Sequence, residues 1–304
     1  MNYVNCNKED LEKEYAALVA EYEEVKGKGL KLNMARGKPG EDQLNLSRPL
    51  LDVINSSTDC ITAHGADCRN YGELAGIDEC KNFFAEIFDV DPSDVMVGGN
   101  SSLNMMFDTI AGFMTKPVVE GCKPWYEVKN RKFLCPAPGY DRHFAITEYF
   151  DFDLIPVPMT ENGPDMDVVE KLVENDDSIK GIWCVPKYSN PLGITFSDET
   201  VKRFAALKPA AKDFRIMWDN AYCVHDVTDT PDELLSLMAE CRKTGNVDLP
   251  IMFTSTSKIT FPGSGVAAMA ASDNNMKVIK NRYQYQVISY DTVSYTHLRA
   301  HETT

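Results

Sequence analysis

An α/β domain with a mainly parallel sheet is the fold class this sequence predicts, and three observations predict it. Short β-branched or apolar runs recur from about residue 70 onward: Val95-Met96-Val97, Lys132-Phe133-Leu134-Cys135, Ile182-Trp183-Cys184-Val185, Ile216-Met217-Trp218 and Ile251-Met252-Phe253. Helical patterns lie between them, as where Leu103, Met106, Phe107, Ile110 and Phe113 mark one face. Polar motifs follow several of these runs directly, and in open α/β sheets ligands bind at the carboxyl ends of strands.

Taken in chain order, residues 8–26 place Leu11, Tyr15, Leu18, Tyr22 and Val25 at helical spacing, with Asn7 as N-cap and Gly27 as a stop. Residues 31–40 form an extended segment punctuated by Gly and Pro. Five polar motifs come next. They are Gly98-Gly99-Asn100-Ser101-Ser102, Pro136-Ala137-Pro138-Gly139-Tyr140, Asn190-Pro191-Leu192-Gly193, Asp219-Asn220-Ala221-Tyr222 and Ser255-Thr256-Ser257-Lys258.

Composition narrows the class of protein. Forty-six acidic against 31 basic residues give a net charge of −15, a field that repels polyanions and disfavours non-specific nucleic-acid binding. No apolar run reaches the length of about 18 residues that a membrane span needs, and the N-terminus lacks the cationic start of a signal peptide. The nine cysteines include no Cys-x-x-Cys pair, so they read as reduced thiols of a cytoplasmic protein without a metal site.

A lysine after a strand, preceded by Asp-x-x-Tyr and an Asn-Pro-x-Gly turn, suits pyridoxal 5′-phosphate (PLP) chemistry. In their order and spacing these motifs resemble the fold-type I PLP enzymes, class I/II aminotransferases in particular. The wording is closest to the MocR-like branch that includes aspartate-aminotransferase-like enzymes. The resemblance runs from about Leu32 to Asp291. It implies a mainly parallel seven-stranded sheet flanked by helices.

The same resemblance implies a role for each residue. Lys258 carries the cofactor covalently and then moves the substrate α-proton as acid and base. Asp219 pairs with the pyridinium nitrogen, keeping the ring protonated. Tyr222 and Asn190 hydrogen-bond the cofactor's 3′-oxygen. Asn100, Ser101 and Ser102 at a helix start, with Ser255 and Ser257, cradle the phosphate, although helix capping by Asn or Ser also accounts for that loop. Tyr140 stacks on the ring. Tyr71, within Arg69-Asn70-Tyr71-Gly72, reaches the phosphate of a neighbouring subunit, which implies a homodimer with shared active sites. Gly37, in Arg36-Gly37-Lys38-Pro39-Gly40, lets backbone approach the substrate carboxylate. Arg36 either reaches a second carboxylate or stays solvated.

Two departures stand out. No basic residue occurs in Ile259 to Val266, where the main aspartate aminotransferase line has a phosphate-binding arginine; this points to the MocR-like branch. Residues 292–304 resemble a reading frame through a transposon adapter from a sequencing library. The expectation is an N-terminal helix and arm at 1–48, belonging to a small domain. A large PLP-binding domain follows at 49–291, and then a non-native tail at 292–304. The natural chain would continue beyond Asp291 into the rest of the small domain, with an arginine for the substrate α-carboxylate.

The expected function is a PLP-dependent transaminase moving an amino group between an amino acid, aspartate or another dicarboxylic one, and 2-oxoglutarate. Its partners would be small-molecule amino and 2-oxo acids, with no nucleic acid and no membrane. A C–S β-lyase or decarboxylase would share Lys258 and Asp219. A PLP-sensing regulator domain is disfavoured, because residues 1–30 are short and acidic for a DNA-binding module.

Overall fold

A computed structural model of the chain describes residues 3–32, 38–226 and 228–299, with backbone only for 297–299. The chain divides into two compact units, 1–45 and 46–304. The first holds α1 (Lys8–Gly27), capped by Asn7, whose side chain accepts from the Asp10 amide at 2.9 Å. Gly27 is the last residue of this helix, and Lys28 follows as its C-cap. A short α2 follows at Glu41–Leu46.

The second unit is a sheet covered on both faces. Its elements are α3 (Asp78–Phe88), β1 (Val95–Val97), α4 (Ser102–Thr115), β2 (Lys132–Ala137), α5 (Asp141–Tyr149), β3 (Asp153–Thr160) and β4 (Gly163–Pro164). They continue as α6 (Met166–Asn175), β5 (Ile179–Cys184), α7 (Asp198–Ala205), β6 (Arg215–Asp219) and α8 (Leu237–Thr244). The series ends with β7 (Pro250–Ser255), β8 (Ala267–Ala271), α9 (Asp273–Tyr283) and α10 (Thr292–Arg299).

The strand order is β1-β8-β7-β6-β5-β2-β3-β4. The run from β7 through β3 is parallel, while β8 runs antiparallel between β1 and β7. Seven strands exceed two residues; the two-residue β4 adds an antiparallel eighth at the edge.

Strand residues alternate between two cores. In β6, Ile216 and Trp218 join the core that includes Phe84, Val169 and Phe204, while Met217 joins the core that includes Met106, Phe113 and Ile279. β2 repeats this, with Leu134 on one face and Phe133 and Cys135 on the other. Burial on both faces is why these strands read as continuous apolar runs rather than alternating ones. α3, α6, α7 and α8 contribute to the first core and α4 and α9 to the second.

The tail expected to lie outside the fold has regular structure up to residue 299. Thr292 donates its hydroxyl to the Cys68 carbonyl at 2.6 Å, and the buried Tyr295 donates to the Gly98 carbonyl. Among the described residues no helix is long and apolar enough to cross a membrane, and no cluster of metal-ligating side chains occurs. Cys60, Cys68, Cys122, Cys135, Cys184, Cys223 and Cys241 are free thiols.

Candidate active site

Because β1, β2, β5, β6 and β7 all point the same way, the loops after them emerge at one edge of the sheet, and each carries one of the five polar motifs. They meet around a cavity of about 230 Å³. Ser101 and Ser102 enter it from the start of α4, and Tyr140 from the N-cap of α5. Asn190 arrives after β5, and Asp219 and Tyr222 from the end of β6 and the turn beyond it. Ser255 closes β7, and Ser257 and Lys258 lie on the 3₁₀ turn that follows it.

Asp219 is buried and its two oxygens differ. Oδ2 lies 2.9 Å from Nε2 of His143, while Oδ1 is buried with no hydrogen-bond partner. His143 is itself 1% exposed and stacks on Trp183, with centroids 4.6 Å apart and planes 14° apart. The carboxylate is therefore held from behind and presents one unsatisfied oxygen, which a cationic N–H would satisfy. Sequence reasoning missed His143. It lies in the first turn of α5, 76 residues from Asp219, and nothing local marks the contact.

Tyr222 and Lys258 face each other, with Nζ 5.9 Å from the ring centroid. Burial pushes the Tyr222 phenol up; a hydrogen bond with the Asn190 side chain opposes that rise, and the Asp219 charge adds to it. Tyr140 is also pushed up, mainly by burial. Lys258 itself is exposed, so the cavity opens to solvent at the lysine. His225, also absent from the sequence reading, fixes this segment: its Nε2 lies 2.9 Å from the Lys258 carbonyl oxygen.

One corner of the cavity is made of hydroxyls and a helix start. Ser101 caps α4, accepting from the Asn104 amide at 3.3 Å, so the capping role left open by the sequence is filled by a residue that also lines the cavity. Ser257 donates to the Asn100 carbonyl at 3.1 Å, joining the first and last motifs. The Asn100 side chain does not enter the cavity; it donates to the Gly263 carbonyl at 3.4 Å. No arginine lines the cavity among the described residues.

Tyr71 is 83% exposed and does not line the cavity of its own chain. Gly37 and Arg36 lie outside the described residues. A larger concavity of about 880 Å³ between α4 and α9 is lined by none of the five polar motifs.

A mostly parallel sheet with a lysine, a buried aspartate and a hydroxyl-rich helix start at its carboxyl edge is an α/β scaffold with its candidate site where open sheets bind ligands. The chain belongs to the aspartate amino-transferase family, whose family model matches residues 6–303. It is 44% identical over 256 residues to an aspartate aminotransferase of Corynebacterium glutamicum, covering 84% of this chain and 59% of that protein. A curated protein of Mycolicibacterium smegmatis is 44% identical over 277 residues, covering 91% of this chain and 65% of the other. The crystal structure of an aspartate transaminase from C. glutamicum superposes with a TM-score of 0.90 at 40% identity, covering 97% of this chain and 69% of that one. The chain thus spans about three-fifths of the length of the curated relatives it matches.

Proposed function

We propose that this chain carries the cofactor site of a PLP-dependent aminotransferase. The substrate pair is aspartate, or another dicarboxylic amino acid, with 2-oxoglutarate. One observation carries the reading: the unpartnered Oδ1 of buried Asp219 lies at the same cavity as Lys258, Tyr222 and Asn190. An anion kept in a buried site without a partner costs free energy unless a cation completes it, and a protonated pyridine nitrogen does so. The similarity to the C. glutamicum aspartate aminotransferase supports the donor assignment.

When bound, PLP supplies an electron sink for the charge left at the substrate Cα. Every other contribution comes from side chains already in place. Lys258 Nζ would be the covalent anchor and the base that takes the proton from the donor's Cα, and in the reverse half-reaction gives one to the carbon that carried the oxo group. Asp219 keeps a proton on the ring nitrogen, and His143 fixes the carboxylate's orientation. Asn190 and Tyr222 orient a phenolic oxygen, and Tyr140 packs a flat ring. Ser101, Ser102, Ser255 and Ser257 offer hydroxyls to the phosphate, with the α4 amides behind them. Asn100 contributes through its backbone carbonyl, by holding Ser257.

Tyr71 is assigned to a partner subunit's phosphate, a homodimer reading that its exposure and its distance from its own cavity support. Gly37 and Arg36 are assigned to substrate carboxylates. The MocR-like placement rests on the missing base between Ile259 and Val266, and the cytoplasmic reading on nine cysteines without a Cys-x-x-Cys pair.

Borohydride reduction of PLP-treated protein, followed by peptide mass spectrometry, tests the site. A pyridoxyl adduct on Lys258, absent in Lys258→Ala, is expected; an adduct spread over surface lysines would sink the proposal. Conversion of aspartate to oxaloacetate in a single half-reaction tests the donor. Failure with aspartate but turnover of another amino acid would change the substrate and keep the class.

A further inference from the structure

Lys187 is 7% exposed, three residues before Asn190. Its Nζ donates to the carbonyl of Cys223 at 3.1 Å and to Oδ1 of Asp226 at 3.0 Å. Cys223 directly follows Tyr222, so one ammonium joins the loop that carries Asn190 to the loop that carries Tyr222. The ion pair is lopsided: the Lys187 side chain is 8% exposed and that of Asp226 is 43% exposed. Removing an ammonium from water is unfavourable, and an apolar side chain of similar volume would fill the space without that cost. What an apolar side chain cannot do is grip a carbonyl and a carboxylate on the neighbouring loop.

The surroundings strengthen the connection. Tyr188 sits at φ +47°, a left-handed backbone that non-glycine residues rarely adopt, and its hydroxyl accepts from the Asp232 amide at 3.1 Å. Lys187 Nζ stands 5.2 Å from the centre of the Tyr188 ring. At its far side the loop after β6 is tied to β7 and the lysine segment. The Cys223 thiol lies 3.4 Å from Thr254 Oγ1, and His225 meets the Lys258 carbonyl. The exits of β5, β6 and β7 are thereby joined through residues 222–226, and Lys187 makes the β5 connection.

We propose that Lys187 is a positioning residue whose ammonium locks the loop after β6 to the loop after β5, so that Asn190 and Tyr222 meet one acceptor together. This rests on the reading of the cavity as a PLP site. Two groups aimed at one oxygen stabilise its anionic form, and that lowers the proton affinity of the lysine-bound cofactor nitrogen. With the lock removed, the two loops move separately and the stabilisation falls. Lys258, Tyr140 and Asp219 with His143 behind it are the other titratable groups at the cavity, while Cys223 and Asp226 face Lys187 itself.

The test is a spectrophotometric pH titration of the PLP-loaded full chain, comparing wild type, Lys187→Met, Tyr222→Phe and the double variant. Lys187→Met is expected to raise the apparent pKa of the visible band by about one unit, a tenfold change in proton equilibrium. The double variant should match Tyr222→Phe alone, because the lock acts through Tyr222. A wild-type band that Lys187→Met leaves unmoved overturns the lock alone, as does a double variant whose shift is the sum of the singles. If wild-type protein gives no visible band, the cofactor reading falls and the lock with it. Should Lys187→Met show no cooperative melt, Asp226→Ala takes its place by removing the exposed half of the lock. A shift in the same direction supports the proposal, and none overturns it.

Discussion

Nε2 of His143 and Oδ2 of Asp219 are 2.9 Å apart in a buried setting, which leaves Oδ1 as the carboxylate's one unsatisfied atom. The pair acts as an oriented anion with a single free face. Asp219→Ala should therefore weaken PLP binding by about ten- to a hundredfold, the range of one charge-assisted hydrogen bond. His143→Phe keeps a ring to stack on Trp183 but strips Asp219 of its partner, and should cost about 1–3 kcal/mol of stability. Absorbance titration with PLP checks the first. A urea melt checks the second, and an unchanged midpoint would show that the pair is not coupled.

Lys180 offers a contrast at the opposite end of the sheet. It is the second residue of β5; its Nζ lies 2.8 Å from Asp213 Oδ1, while Trp125 Nε1 donates to Oδ2 at 2.9 Å. All three side chains are buried. Lys180→Met leaves a buried carboxylate without its counter-ion and should destabilise the fold by about 3–5 kcal/mol. Affinity for PLP in the protein that remains folded should stay at the wild-type value, and a parallel loss of both would contradict this separation.

Gly265 is confined by the lysine segment. A Cβ there would lie 2.9 Å from Ser257 Oγ, 3.0 Å from its amide nitrogen and 3.1 Å from its Cα. Because two of those atoms are backbone, the segment must shift to accept a methyl group. Gly265→Ala should cost about 1–3 kcal/mol as overpacking and weaken cofactor binding through Ser257 and Lys258. Thermal melts with and without PLP measure both effects; a variant melting as wild type would show that the approach is slack.

Alkaline pH should ionise the half-buried phenol of Tyr222. Burial lifts the Tyr222 pKa, so the folded state favours the neutral form more than the unfolded chain does. Its contribution to stability is complete below the unfolded phenol value of about 10 and is lost as pH rises through the higher folded value. Tyr140 shifts in the same direction. Stability from urea melts should decline above about pH 10, and Tyr222→Phe should flatten that decline. A Tyr222→Phe profile parallel to wild type would mean the phenol is not held neutral by the fold.

The strands most readable in the sequence were those buried on both faces. Ile182 to Cys184, Ile216 to Trp218 and Ile251 to Phe253 are apolar at every position because each face packs on its own core. β8 was missed because Ala267-Ala268-Met269-Ala270-Ala271 has no β-branched residue, and only pairing with β1 and β7 makes it a strand. β3 was hidden by Pro156 and Pro158, which are tolerated where the outer neighbour pairs only at Met159 and Thr160.

The order and spacing of five motifs, each following a strand, carried the family resemblance that marked Lys258, Asp219, Tyr222, Asn190, Tyr140 and the serines as expected site residues. Convergence was decided by the tertiary structure: five strands pointing one way bring motifs far apart in the chain to one cavity. Tertiary structure alone revealed His143 behind Asp219, His225 on the Lys258 carbonyl and Lys187 across two loops. Such partners have no local signature, since a buried polar group is satisfied by whatever donor the fold brings near it, at any distance along the chain.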